Sequence, residues 1–413
     1  MKKVSSSNKS KSGETALLLD VGSGSIGGVI VAYKRDKKPR IIYSIRKELP
    51  FSKNVTSDKS ISSMRLSLEA VLSELVRKGF LETKEKAFGH SLPEYVVCTL
   101  SSPWHISTVR DINFNFEEKE EIDSRFLSDL VENEVHEFQD KVDKSELAGK
   151  PFEVIEKLFI KFLVNGYHVE NPLNKKSTHF NFKIFLSIAS NKHLDYIRNT
   201  INRHLPGREI IFKSFSSVYF STLSKIFPHE DRFLAVHISG ETTDISVIKD
   251  RAIIETASFP LGRNFMVRKI TSEIKGLEPI AALSMIKIHK KDESDRRLSK
   301  KFQEILKQTA DDWIKLFFDA LNDLSAGMFL PSRTFVMSGE GYSVLFSRLI
   351  EQANNKSFLK NNQSLNLTAI ESDLFSSVVD WDGKERSEPF FAIQAFCDEQ
   401  DKSKGAFNRK FLL

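Results

Sequence analysis

Three short stretches hold residues whose types and spacing could do chemistry on an anion. In 19-LDVGSGSIGGVIV-31 an apolar run ends in an acid, Asp20, followed by glycines and hydroxyls. The pattern returns in 235-AVHISGETTDISVI-248, with His237 at the matching place, and a third turn lies in 335-FVMSGEGYSVL-345. Gly, Ser and Thr in tight turns aim backbone N–H groups and hydroxyls at an anion. An Asp on the strand before such a turn can hold Mg²⁺, through water, against phosphate. Two hairpins of this kind facing each other would clamp a phosphate chain. A third glycine turn, opening a helix, would let a nucleoside come close to the backbone.

The candidate nucleotide-binding residues are therefore Asp20, Gly22, Ser23, Gly24, Ser25, Ser239, Gly240, Glu241, Thr242, Thr243, Ser338, Gly339 and Gly341, with Asp20 also organising the metal. Each stretch alone has an ordinary reading. "GSGSIGG" suits a flexible β-turn and "SGETTD" a tight hairpin. The three in this order, each after an apolar strand, are more specific than any one. Two residues sit oddly beside phosphate: His237 on the strand and Glu241 in the turn.

Most of the elements that must position these turns can be read from the pattern. "ALLLDV" and "IGGVIVAY" are continuous apolar runs, as in a sheet covered on both faces. "RIIYSIRKEL" reads as a third strand. Residues 60–78 place Met64, Leu68, Val71, Leu72, Leu75 and Val76 at helical spacing, and Gly79 follows. "EYVVCTLSS" returns as a strand. From residue 114, "FEEKEEIDSRFLSDLVENEVHEFQDKV" reads as a charged amphipathic helix, followed by two strand-like runs and the helix "NKHLDYIRNTINRHL". These make a small α/β unit at 114–205. Strand and helix resume in 208–227, residues 262–330 are mainly helical, and "SEPFFAIQAFCDEQ" closes the chain as a helix. The similarity of 19–31 to 235–248 predicts two related half-domains facing each other.

With 413 residues and 33 Phe, the chain can bury more than one core without a stapling cofactor. The formal charge of +6 is a mild excess that permits an acidic partner or an anionic surface. Zinc-finger spacing and an Arg/aromatic ribbon are both missing from the sequence, so nucleic acid is not an expected partner. Cys98 and Cys397 sit among apolar neighbours and read as buried thiols of a reducing, cytoplasmic compartment. No uncharged apolar run approaches the roughly 20 residues of a membrane helix. The mixed charge run "HKKDESDRRLSKK" reads as a solvated face.

The three turns together resemble those of the actin/Hsp70/sugar-kinase ATPase superfamily, and most of all its FtsA branch, over residues 15–398. Leu19–Ser25 is similar to that family's L-D-I-G-T-T-K, His237–Ile245 to its D-I-G-G-G-T-T-D-I, and Ser338–Tyr342 to its adenosine turn T-G-G-G-S. FtsA carries a small α/β subdomain in its first domain; it follows a strand similar to "YVVCTLSSPWHIS", and its later part resembles 165-NGYHVENPLNKKSTHFNFKIFLSIASNKHLDYIRNTINR-203, in which "NPL" before a strand pair is the telling piece. PilM, an adaptor of type IV pilus assembly, shares this architecture and tends to carry an acid near Glu241.

The resemblance implies an α/β actin-like ATPase fold with two related lobes around a nucleotide cleft and an inserted α/β subdomain in the first lobe. Its segments are a tail at 1–14, first lobe at 15–113 and 206–230, inserted subdomain at 114–205, second lobe core at 231–275, helical part at 276–330, core with the adenosine turn at 331–372, closing helix region of the first lobe at 373–398, and basic tail at 399–413. It implies ATP and Mg²⁺ as ligands. It also implies self-association and an FtsZ-like filament as partner; for a PilM-like chain the partner is a pilus-assembly membrane protein. FtsA ends in an amphipathic membrane helix, and here Phe407, Arg409, Lys410, Phe411 and Leu412 supply apolar bulk and charge for the inner face of the membrane.

The departures weaken catalysis. His237 replaces the acid that supports metal and water, and Mg²⁺ prefers oxygen. Ser25 replaces a common lysine, and Glu241 and Glu340 replace glycines. The expectation is weak nucleotide binding with little hydrolysis, in an FtsA-like or PilM-like adaptor. An active sugar or metabolite kinase is the reading His237 disfavours.

Overall fold

The computed structural model describes residues 14–52, 56–82, 92–143, 151–289, 300–339, 341–354, 364–382 and 388–403. Phe407, Arg409, Lys410, Phe411 and Leu412 of the basic tail lie outside the described residues, as do Glu340 and residues 290–299 of the charge run, whereas residues 399–403, expected in the tail, continue the closing helix Pro389–Ser403, in which Lys402 pairs with Glu14.

The apolar runs at the start pair as expected. Strands β1 (Glu14–Val21) and β2 (Ser25–Tyr33) form a hairpin in which all but Glu14 are buried, so side chains on both faces meet core. With β3 (Arg40–Glu48), β4 (Tyr95–Leu100), β9 (Glu209–Ser214) and β15 (Asp380–Trp381) they make a six-stranded sheet of order β15-β3-β2-β1-β4-β9. The second sheet, of order β12-β11-β10-β13-β14, holds β10 (Phe233–Ile238), β11 (Thr243–Lys249), β12 (Ala252–Phe259), β13 (Arg333–Ser338) and β14 (Asn366–Ala369).

The internal similarity of the sequence corresponds to shared topology. β1 pairs antiparallel with β2 and parallel with β4. β10 pairs antiparallel with β11 and parallel with β13. Asp20 and His237 are each the penultimate residue of the central strand of their sheet. Both turns therefore leave the carboxyl ends of parallel-paired strands, where ligands bind in α/β sheets.

Helices cover the sheets. α1 (Ser57–Glu74) begins with Thr56 as N-cap, which accepts the Lys59 amide at 3.4 Å, and runs into a π-helical turn at Leu75–Glu82. α1 packs with α3 (Asn191–His204) on one face of the first sheet, where Met64, Leu68 and Leu72 share a core with Leu194, Ile197 and Ile201. α4 (Phe215–Ile226) and α9 (Pro389–Ser403) lie in a core that joins the two sheets. It combines Leu18 and Val29 of the first with Ala235 and Met337 of the second. The second sheet is backed by α5 (Arg263–Glu273), α6 (Pro279–His289), α7 (Lys300–Leu324) and α8 (Tyr342–Asn354), around the fully buried Trp313, whose Nε1–H donates to Thr243 Oγ1 at 3.1 Å.

A third sheet, of order β5-β8-β6-β7, is inserted in the first lobe. It consists of β5 (Ile106–Glu121), β6 (Phe152–Val164), β7 (Tyr167–Val169) and β8 (Lys176–Ser190), and α2 (Ser124–Asp143) buries Leu127, Val131, Val135 and Phe138 against Phe162, Phe180, Phe182 and Ile184. Two sequence expectations differ here. "FEEKEE" is strand rather than helix, because Glu120 and Glu121 pair with Ser177 and Lys176 of β8, and tertiary pairing overrides local propensity. α3, expected in the small α/β unit at 114–205, buries its apolar stripe in the first lobe's core instead, so the inserted sheet and its helix span Ile106–Ser190.

A buried carboxylate helps tie the insert to the first lobe. Glu156 on β6 accepts from the Ser214 amide (2.8 Å), the Ser214 hydroxyl (2.5 Å) and the Ser217 hydroxyl (2.6 Å) at the N-terminus of α4. Free N–H groups and the helix dipole favour an acid there. Among the described residues, no helix is long and apolar enough to cross a membrane.

Candidate functional site: the cleft between the lobes

The structure brings the three turns together. Asp20, Gly22–Ser25, His237–Gly240, Gly339 and Tyr342 line one cavity between the sheets, together with Arg46, Glu48, Ser101, Arg263, Glu388 and Phe390. Thr242 and Thr243 are outside its lining. The Thr242 hydroxyl donates to the Ser102 carbonyl (3.1 Å), and that of Thr243 to the Leu261 carbonyl (2.7 Å). Ser338 is likewise spent inside its own sheet, donating to the Ile238 carbonyl at 2.7 Å. Gly341, at φ +78°, adopts the left-handed backbone that lets the third turn enter α8.

The first two turns touch each other. The hydroxyls of Ser23 and Ser239 share a hydrogen bond of 2.8 Å, and the Glu241 amide donates to Ser23 Oγ at 2.9 Å. A Cβ placed on Gly240 would stand 2.3 Å from Gly24 Cα, so only glycines allow this approach. The Trp104 indole supports the first turn from behind, donating to the Gly22 carbonyl at 3.0 Å. The Ser23 and Ser239 hydroxyls and the Glu241 amide thus meet the opposite turn.

Asp20 is 2% exposed, and its Oδ2 accepts from Arg46 Nη1 at 2.8 Å. The same Nη1 reaches Ser25 Oγ at 2.9 Å, and Arg46 Nε donates to Glu388. The Phe390 and Phe391 rings lie 5.0 and 4.8 Å from the guanidinium carbon. Burial opposes the charge on Arg46, but Glu388 and Asp20 more than offset it and hold the guanidinium protonated. Arg263 is buried at the start of α5. It pairs with Glu48 and lies above the Tyr342 ring (5.6 Å), and a Cβ on Gly339 would meet its Nη1 at 2.7 Å.

Glu241, the acid that sat oddly in the turn, points out of the cleft. Its carboxylate takes two bonds from Arg268, at 2.9 and 2.6 Å, and one from Asn264 Nδ2 at 2.9 Å. His237 packs on Phe215 (centroids 4.3 Å) and Phe390 (5.5 Å), with Nδ1 3.6 Å from Asp244 Oδ2. Burial alone would raise the Asp244 carboxyl, yet the His237 imidazole beside it keeps it below the usual carboxylate value. His105, buried nearby, is pushed down to about 4 by desolvation.

These residues do not fit a magnesium-bound nucleotide. The cavity is about 100 Å³, the volume of a few waters, against roughly 300 Å³ or more for pockets that enclose cofactors. Its lining carries two guanidiniums and three carboxylates, a formal excess of negative charge that opposes a polyphosphate. Asp20 Oδ1 and Arg46 Nη2 are buried without a hydrogen-bond partner. One free acceptor beside one free donor suits water. A hard dication asks for several oxygens and no neighbouring cation. Among the described residues, no group of three or more His, Cys, Asp or Glu is placed to hold a metal.

Sequence reasoning missed Arg46, Glu48, Arg263 and Glu388. The one local signal was Arg46 itself, a charge in the strand-like "RIIYSIRKEL". Its partner Glu388 is 342 residues away.

The sequence matches no protein-family profile and no curated protein. Solved structures do match. The chain is similar to one from a PilM–PilN type IV pilus biogenesis complex, with TM-score 0.56, 14% identity, and coverage of 93% of this chain and 98% of that one. It is also similar to a Bacteroides thetaiotaomicron protein with actin-like ATPase fold and unknown function (TM-score 0.41, 11% identity, 96% and 99% covered). Another match is MreB 5 of Spiroplasma citri bound to AMPPNP (TM-score 0.44, 9% identity, 97% and 99% covered). The chain has the actin-like ATPase fold: two lobes of shared topology around a cleft, with a third sheet inserted in the first.

Proposed function

We propose that the protein is an actin-fold adaptor of PilM type, which engages a membrane protein of a pilus or secretion assembly and turns over little or no ATP. The observation that carries this reading is the whole-chain likeness to a protein solved in a PilM–PilN complex, which spans both lobes and the insert. The cleft supports the second half of the reading. An adaptor needs the two lobes as a rigid frame and not as a catalyst, and His237 at the place matching Asp20 supplies no oxygen for metal.

The test is a fluorescence-anisotropy titration of the purified chain against cytoplasmic segments of single-span membrane proteins encoded beside its gene. Saturable binding of one such segment supports the adaptor. ATP turnover at kinase-like rates of about 1–100 per second with a sugar acceptor would refute it in favour of a metabolite kinase.

An FtsA-like role is the second reading, favoured by the tail sequence 402-KSKGAFNRKFLL-413, which combines Phe with Lys and Arg. It requires co-sedimentation with an FtsZ-like filament, and loss of binding to anionic liposomes when residues 403–413 are deleted. Unchanged liposome binding after that deletion would remove the tail as an anchor.

A further inference from the structure

We infer that the cleft is sealed from within: two arginines of the chain stand where a metal and a nucleoside would stand, and they lock the lobes together without any ligand. This lock is the same whichever partner the protein serves.

Arg46 is the first cation. It reaches Asp20 Oδ2 at 2.8 Å, the carboxylate that would otherwise organise a dication, and its other side is held by Glu388. A guanidinium held on Asp20 offsets that carboxylate's charge and repels a second cation from it. The Phe390 and Phe391 rings beside the guanidinium further stabilise it there.

Arg263 is the second. It leaves the second lobe at the start of α5, crosses the cleft to Glu48 at the end of β3, and lies against Gly339 and over Tyr342. A nucleoside approaching the third turn would meet this guanidinium.

Between the two arginines the turns rest on each other. The Ser23–Ser239 hydroxyl bond (2.8 Å) and the bond from the Glu241 amide to Ser23 Oγ (2.9 Å) engage two of the hydroxyls and one of the amides that would face phosphate. The Gly24–Gly240 approach leaves no width for a phosphate. The outward ion pair of Glu241 with Arg268 (2.6 Å) braces the second turn in this position. Three contacts across the cleft, Ser23–Ser239, Glu241–Ser23 and Arg263–Glu48, thus do what a bound nucleotide would do when it bridges two lobes.

Equilibrium dialysis of the full chain against millimolar Mg²⁺–ATP and Mg²⁺–ADP is the first test. No nucleotide retained is the expected result, and one saturable equivalent per chain overturns the inference. The second test is a Ser23→Cys/Ser239→Cys chain treated with diamide, which takes two electrons and two protons from the thiol pair. The native Cys98 and Cys397 are buried and do not compete. The disulfide should close in nucleotide-free protein, at a rate that Mg²⁺–ATP leaves unchanged. Failure to close, or slowing by Mg²⁺–ATP, overturns the inference. Arg263→Gln should raise hydrogen exchange at the amides of 239–242 several-fold while α7 stays protected; unchanged exchange there would remove Arg263 from the lock. Partner binding by the unmodified chain is read separately, so the adaptor reading can fail while this one stands, and the reverse.

Discussion

Replacing Arg46 with Met is the most informative single perturbation. The side chain is 14% exposed, and its partners Asp20 and Glu388 are 2% and 22% exposed, so solvent screens these pairs little. Met keeps most of the stem volume against Phe390 and Phe391 but removes the charge. Asp20 is then a buried carboxylate with no cation. Breaking a buried pair from one side costs about 3–5 kcal/mol, because the remaining charge is uncompensated. Asp20→Asn in the same chain removes the orphaned charge and should restore most of the loss. The assay is urea denaturation of all four members of the cycle at pH 7. A single variant within about 1 kcal/mol of the parent, or a double variant as unstable as Arg46→Met alone, would refute the reasoning.

Further outcomes follow from the same structure. Burial raises the Glu156 carboxyl above its ordinary value despite the three hydrogen bonds it accepts. The native state thus holds that proton longer than the unfolded chain, and stability falls as pH rises through the raised value. Glu156→Gln should match or exceed the parent in urea at pH 8, with the difference narrowing at low pH; a parent more stable by over about 1 kcal/mol at pH 8 would contradict this. His105 is held neutral down to about 4 from an ordinary 6.5, so stability should decline as pH falls below 6.5, and His105→Asn should lose that part of the slope. Gly240→Ala places a Cβ 2.3 Å from Gly24 Cα and should cost about 1–3 kcal/mol in thermal unfolding, as overpacking does. A neutral result would mean that the two turns stand apart in solution.

Much of the fold is legible in local pattern. The apolar runs of β1, β2, β10 and β11 need cover on both faces, and their shared spacing alone puts Asp20 and His237 at matching positions. The glycine and hydroxyl turns were legible because tight turns demand particular residues. Helical period found α1 and α9, but it also misread "FEEKEE", whose strand state depends on β8 more than fifty residues on. Local pattern could not assign α3 to a lobe either, since an amphipathic stripe says that a face is buried and not against what.

The state of the cleft, by contrast, rests on contacts between distant segments. Arg46 to Glu388, Arg263 to Glu48 and Ser23 to Ser239 join residues 342, 215 and 216 positions apart. Such contacts leave no periodicity in the chain. Turns that read as a clamp for phosphate therefore read, in three dimensions, as two surfaces closed on each other, because the Ser23 and Ser239 hydroxyls bond each other and Arg46 and Arg263 reach Glu388 and Glu48, partners the sequence places far away.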